Sequence, residues 1–333
     1  MKKFFKKKKS VLFLCLFVLL TCTACSNPRG SDGKTKVNEI IASEEIQIKK
    51  SQVNTTEIND KKLEKEYKKL KDDDMITIHE TSFMDAFSNG WFEGLVVWPL
   101  AQCINFFASF TDAGIGIILT TILLQGIVFV MTYKSQMGNQ RMQEVQPEMM
   151  RIQDKYKDKT DDRSRMMMAQ EMQKLYQKYD IHPFGTILVT FIQLPILMGM
   201  YYATMRAASV VYGSFIGLPF IGTPMDGFKN GQIGYIVIWA LMIICQLLTM
   251  KTPQLLKKWQ DKKDNVKKKA YAEPQNPMMG GMNLYMYFMT AMIAFMCFSW
   301  PIAMSFYWLI SSLINIIKSV AMHVHMQKSM QHK

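Results

Sequence analysis

The chain of 333 residues is 49% hydrophobic and 20% charged, carries 29 methionines and has a formal net charge of +13. A soluble chain of this length has room for two domains. Here the apolar residues gather instead in nearly charge-free blocks of roughly 17–22 residues, the length that crosses a bilayer core about 30 Å thick. That pattern excludes a soluble globular protein and gives an all-α integral membrane protein.

In chain order, "MKKFFKKKKS" is a basic leader and "VLFLCLFVLLT" an apolar core too short to span comfortably. "CTACSN" then places small residues just before Cys25. Residues 1–24 therefore read as a lipoprotein signal peptide, with Cys25 lipidated on the outer face after cleavage. One departure is Cys22, where leucine is usual three residues before the cut; an uncleaved signal anchor is the alternative. Of the 6 cysteines, Cys15 and Cys22 leave with the signal, while Cys103, Cys245 and Cys297 lie in apolar segments. No disulfide framework or metal-binding cysteine pair is visible.

Residues 25–89 are polar, poor in aromatics and rich in Lys, Asp, Glu and Ser, which predicts a solvated extracytoplasmic tether. Residues 90–112 are apolar but interrupted by Pro99, Glu93, Gln102 and Asn105. Trp91, Trp98 and Phe106 suit a headgroup boundary, so this segment predicts an interfacial helix on the outer surface.

Five transmembrane helices follow, at 113–133, 183–206, 232–250, 283–300 and 301–322. Between the first two, residues 134–182 hold two helix-favouring stretches broken by "KDKTDD", a cytoplasmic helical hairpin about 30 Å tall at 1.5 Å per residue. An outer loop occupies 207–231, a basic cytoplasmic loop 251–282 and a cytoplasmic tail 323–333. Charge orients the bundle. Segments 134–182, 251–277 and 318–333 carry 10, 8 and 3 Lys or Arg and a net charge of +10, whereas residues 26–112 carry a net −4. Positive charge lies inside, as the rule for short loops requires. The eight lysines of 251–277 face an anionic leaflet, where each adds about 1 kcal/mol of attraction.

Within the spans, the polar residues carry the functional argument. Gln125 interrupts "ILLQGIVF", Gln193 lies in the second span, Gln246 in the third, and Ser311, Ser312 and Asn315 in the fifth. An unpaired amide in hydrocarbon costs several kcal/mol, so these groups face one another or a wetted cavity. Simple interhelical hydrogen bonding, worth about 1 kcal/mol each, is the competing account. Pro195, which frees a carbonyl, and the shortness of the third and fourth apolar blocks favour a cavity in a locally thinned bilayer. No catalytic or phosphate-binding motif competes, and His323 and His325 read as an interfacial tail rather than a metal site. The spans hold no carboxylate, which argues against an ion-coupled carrier.

"MQEVQPEMMRIQDKY" (142–156), "YQKYDIHPFGTILVTFIQLPILMGMYYATMR" (176–206) and "FSWPIAMSFYWLISSLINII" (298–317) resemble the YidC/OxaA membrane protein insertase family in its Gram-positive lipoprotein form, over roughly residues 90–325. The resemblance implies a five-helix core around a hydrophilic groove open to the cytoplasm and to lipid. Nascent membrane proteins are the implied clients, the hairpin recruits them, and no cofactor or small-molecule substrate is needed. The Sec translocon, the ribosome and the signal recognition particle machinery are candidate accessory partners. Gln125, Gln193, Gln246, Ser312 and Asn315 are the expected groove residues. Gln125 stands where the family pattern has an arginine, so a fixed positive charge is missing, and nothing in the spans is expected to restore it. With an arginine at that position, insertion of clients with acidic tails is expected to improve. A specialised paralogue that chaperones or scaffolds one membrane complex is the alternative reading.

Overall fold

The computed structural model describes residues 27–58, 61–157, 159, 161–181, 184–263 and 277–331. Cys25, the signal segment and the lysine-rich stretch at 264–276 lie outside them. The longer helices are α1 (Trp98–Ala108), α2 (Ala113–Glu144), α3 (Gln146–Tyr156), α4 (Asp162–Lys178), α5 (Phe184–Arg206), α6 (Ile233–Lys263), α7 (Pro277–Ser299) and α8 (Ile302–Gln331). Among the described residues, three helices are long and apolar enough to cross a membrane: Ala113–Glu144, Ile233–Gln260 and Ile302–Gln327. A shorter apolar helix runs over Tyr287–Ser299. Helix α6 has 31 residues, so the brevity of its apolar block is a matter of composition and not of helix length.

The chain divides into two compact units. The first comprises residues up to Leu123, Ile192–Trp239 and Cys297–Tyr307. It corrects the expectation of a solvated tether. Strand β1 (Ile46–Lys49) pairs antiparallel with β2 (Met75–Ile78), placing Ile48 opposite Ile76 and Ile46 opposite Ile78. Ile48, Ile76 and Ile78 bury their side chains with Val37, Ile40, Val53 and Ile58, and against Ala208 and Val211. Backbone bonds fasten this small module to the end of α5: Ile41 N–H donates to Arg206 O at 2.7 Å, and Ala208 N–H to Ile41 O at 2.9 Å. A segment that buries apolar residues on a distant part of the chain offsets its ordering entropy, which a free tether cannot do.

The polar residues of the segment expected at the interface hold the same module. Trp98 Nε1 donates to Thr81 O at 2.9 Å, Gln102 Nε2 to Ala42 O at 3.1 Å and Asn105 Nδ2 to Ile41 O at 2.8 Å. Asn105 Oδ1 in turn accepts from Ser209 Oγ at 2.8 Å. Leu95, Phe106 and Phe110 are exposed. Pro99 sits in the first turn of α1, where its missing N–H costs no helical hydrogen bond. Gly116 lets α2 approach α1 closely, because a Cβ there would lie 2.6 Å from Ile104 O. The deepest charge of the unit is Arg206, whose side chain is 5% exposed. Its Nη2 lies 2.6 Å from Glu93 Oε1 and 3.3 Å from Glu39 Oε2, and its Nε donates to Glu39 O at 2.7 Å.

The second unit comprises Leu124–Phe191, Ala240–Met296 and Trp308–Lys333. Helix α2 stops at Glu144 and α3 begins at Gln146, with Pro147 in its first turn. Helix α4 opens at Asp162, capped by Asp161, whose side chain accepts from the Ser164 N–H. α3 and α4 lie antiparallel: Lys155 Nζ and Tyr156 Oη donate to Glu171 Oε1 at 2.6 and 2.9 Å, while Tyr179 Oη donates to Glu148 Oε1 at 2.6 Å. Val145, Leu175 and Ile181 form their apolar seam. Lys257 of α6 donates to the carbonyls of Gln143 and Glu144 at 3.1 and 2.7 Å, satisfying orphan acceptors at the end of α2.

Candidate functional site

The apolar helices of the second unit meet through side-chain polar groups at two places. At the first, Gln125 of α2 donates from Nε2 to Ser311 Oγ of α8 at 2.8 Å. Its Oε1 accepts from Lys318 Nζ at 2.7 Å. The lysine, which can only donate, fixes which end of the amide faces it and so which end faces the serine. Gln125 is 2% exposed, so both ends of a buried amide are satisfied. At the second place, Ser312 Oγ of α8 donates to Gln246 Oε1 of α6 at 2.9 Å, and Thr249 Oγ1 donates to the Ser312 carbonyl at 3.1 Å. Adjacent serines on α8 thus address different helices, Ser311 facing α2 and Ser312 facing α6.

Helix geometry explains the grouping. Ser311, Asn315 and Lys318 follow one another at i, i+4 and i+7, one stripe of α8. Asn315 is half-buried there, with no side-chain hydrogen bond to a described residue. The Lys318 side chain leaves its Cα along a bond tilted toward the helix N-terminus. It therefore reaches back toward the level of Ser311, the middle of the apolar segment, and not toward the nearer helix end. Farther along both helices, Gln140 Nε2 lies 3.3 Å from both the carbonyl and the Oγ of Ser319, extending the polar seam between α2 and α8.

Of the five expected groove residues, four lie in this unit, and Gln125, Gln246 and Ser312 make interhelical hydrogen bonds there. Gln193 is half-buried on α5 in the first unit. The expectation that no residue in the spans restores the missing positive charge is overturned: Lys318 brings an ammonium to Gln125 itself. The spacing of Lys318 from Ser311 and Asn315 carried that signal in the sequence. Its partner, 193 positions away, did not.

Apolar helices joined by buried amides and hydroxyls, with one cation among them, are the mark of a polytopic membrane protein with a polar cluster at membrane depth. Residues 105–329 match the family described as 60Kd inner membrane protein. Over 232 residues the chain is 28% identical to membrane protein insertase YidC 2 of Bacillus anthracis, covering 69% of this chain and 80% of that protein. It is 29% identical over 226 residues to membrane protein insertase MisCA of Bacillus subtilis, covering 67% and 76%. It is 26% identical over 235 residues to membrane protein insertase YidC 1 of Listeria monocytogenes, covering 70% and 72%. The chain belongs to this family, the YidC/OxaA family that its motifs resemble. Every residue of the polar cluster falls inside the matched range, whereas the β1–β2 module precedes it.

Proposed function

We propose that this chain is a membrane protein insertase, a non-enzymatic chaperone that takes nascent membrane proteins into a hydrophilic recess and releases them into lipid. One observation carries the reading: Gln125, Ser311 and Lys318, together with Gln246 and Ser312, gather polar groups between otherwise apolar helices. A client's polar flank can exchange hydrogen bonds with such groups at membrane depth, where no bulk water is available. Burial of the client's apolar segment in lipid, about 25 cal/mol per Å², drives release without ATP.

In this reading five helices span the cell membrane, with the lipidated Cys25 and the β1–β2 module outside and the C-terminus in the cytoplasm. Asn315 completes the lining of the recess. The α3–α4 pair faces the cytoplasm, where its exposed Met166 and Met167 offer adaptable apolar contacts to arriving chains. The lysines that follow α6 lie against the anionic leaflet or the ribosome, and the Sec translocon and signal recognition particle machinery deliver clients. Family membership and the relatives' names support the activity, and the charge asymmetry of the loops supports the orientation.

The test is complementation. Cells depleted of their own insertase and supplied with this chain are expected to regain protease-protected insertion of short single-span proteins. Unchanged insertion defects, with the chain present in the membrane at normal level, would falsify the reading.

A further inference from the structure

We infer that a hairpin tip at Ile216, together with the neighbouring Phe228, forms a lipid-docking surface that seats the 207–231 segment in the leaflet where α6 begins. The inference goes beyond the insertase reading and does not depend on it.

The tip is both strained and exposed. Strands β3 (Ser214–Phe215) and β4 (Leu218–Pro219) pair antiparallel, with Phe215 opposite Leu218 and only Ile216 and Gly217 in the turn between them. Both turn residues take positive φ, 52° and 76°. A turn of that kind favours asparagine or aspartate ahead of glycine, and a β-branched side chain fits the left-handed region poorly. Asp180, the other described non-glycine residue with positive φ, is of a type that tolerates it. Strain of this sort marks positions where a side chain is needed for contact. Packing inside the fold does not offset it here, because Ile216 is 84% exposed.

What covers the tip follows from where the hairpin is attached. Tyr235, in the first turn of α6, donates from Oη to Pro219 O at 3.0 Å. A Cβ at Gly234 would lie 2.5 Å from Leu218 Cδ1, and one at Gly227 2.7 Å from Tyr235 Cβ. Strand β4 and the short helix Pro224–Asn230 therefore both rest on the turn at which α6 starts. Strand β3 is held from another side, the Phe215 ring lying 4.8 Å from that of Phe306. Ile216 is two residues from Leu218, so their backbones are within about 7 Å. On α6 itself, Ile233 and Val237 are exposed one turn apart, the face that an apolar span turns to lipid. Phe228, 71% exposed, and Ile216 continue that apolar surface beyond the helix end. Beside them the exposed Lys229, Asn230 and Gln232 suit headgroups. The bilayer already lies against the adjoining turn, and it is the occupant that the surface requires.

The experiment places a photoreactive diazirine amino acid at position 216 or 228 of the full chain, with the exposed position of Glu45 as an aqueous reference. Each chain is irradiated in native membranes and in nanodiscs of phosphatidylglycerol and phosphatidylethanolamine, and adducts are read by mass. Phospholipid adducts at 216 and 228 are expected in several-fold excess over position 45 in both settings. Ile216→Asn suits the turn better but removes the apolar tip. It is expected to speed protease cleavage of the hairpin in nanodiscs several-fold at unchanged membrane abundance, whereas Ile216→Leu should keep cleavage slow. Lipid adducts at 216 no more frequent than at 45 overturn the inference. So does a protein adduct in their place in native membranes, or an Ile216→Asn hairpin cleaved as slowly as wild type.

Discussion

Two cations, the buried Arg206 in one unit and the half-buried Lys318 in the other, show two uses of the same chemistry. Arg206 is enclosed by Glu93 and Glu39 and donates as well to a backbone carbonyl. Its charge is cancelled within the chain, and its work is to join α5 to the N-terminal module and to the turn before α1. Lys318 is met by the neutral oxygen of Gln125. Its charge is oriented but not cancelled. A cation paired with carboxylates inside its own fold is a fastening; one held by an amide keeps its charge uncancelled. The two cations contribute differently to stability, and mutation can separate them.

The largest effect is expected at the fastening. Arg206→Gln leaves two poorly exposed carboxylates without their partner, and breaking a buried pair from one side costs about 3–5 kcal/mol. Thermal unfolding in nanodiscs should fall by many degrees, and the β1–β2 module should become open to protease. An unchanged melting temperature would show that the pair is not holding the module. Gln125→Leu comes next. It strands the Ser311 hydroxyl and the Lys318 ammonium in an apolar setting, at about 1–3 kcal/mol, and should leave the first unit's protease resistance untouched. Lys318→Met sets two effects against each other: it removes an uncancelled cation but leaves the buried Gln125 Oε1 without its donor, at about 1–3 kcal/mol, so the net loss should stay below that of Arg206→Gln. A loss as large as that of Arg206→Gln would mean that Lys318 is structural, and the contrast between the two cations would collapse.

The smallest effect concerns an exposed pair in the second unit. The Lys155 ammonium and then the Tyr156 hydroxyl hold the Glu171 carboxyl below the usual carboxylate range. A depressed carboxylate contributes its stabilisation above the unfolded value, and that contribution disappears as the pH falls through the folded one. Hydrogen exchange of α3 and α4 should therefore be slightly faster in Glu171→Gln than in wild type at pH 7. The difference should close on acidification below the ordinary value of 4.5. A gap that widens in acid would assign the pairing of these helices to something other than this ion pair.

How much was legible depended on whether the signal was local. The apolar blocks at 113–133, 232–250 and 301–322 coincide with the three long apolar helices to within one residue at their starts, since hydropathy needs no partner to be read. The break between α3 and α4 is local too, written as a charged run in which Asp161 stands ready to cap α4. The polar character of residues 25–89 misled because composition averages over position. "IQIK" and "MITI" each alternate with period two, a strand signal, but their apolar faces find cover only on each other and on Ala208 and Val211. Gln125, Gln246 and Ser312 stood out as polar residues in apolar surroundings. Which of them would meet, and that Gln193 belongs to the other unit, was not written in the spacing.

The sequence by itself determined the solvent, the helices and the charge asymmetry between segments, because each follows from the free energy of moving side chains between water and hydrocarbon, a property that single residues carry. Only the tertiary structure decided that a lysine on α8 stands in for a charge absent from α2, and that an arginine at the end of α5 is spent on two glutamates. Hydrogen bonds and ion pairs act over about 3 Å, and which groups come that close depends on how the helices pack, not on how far apart the residues lie along the chain.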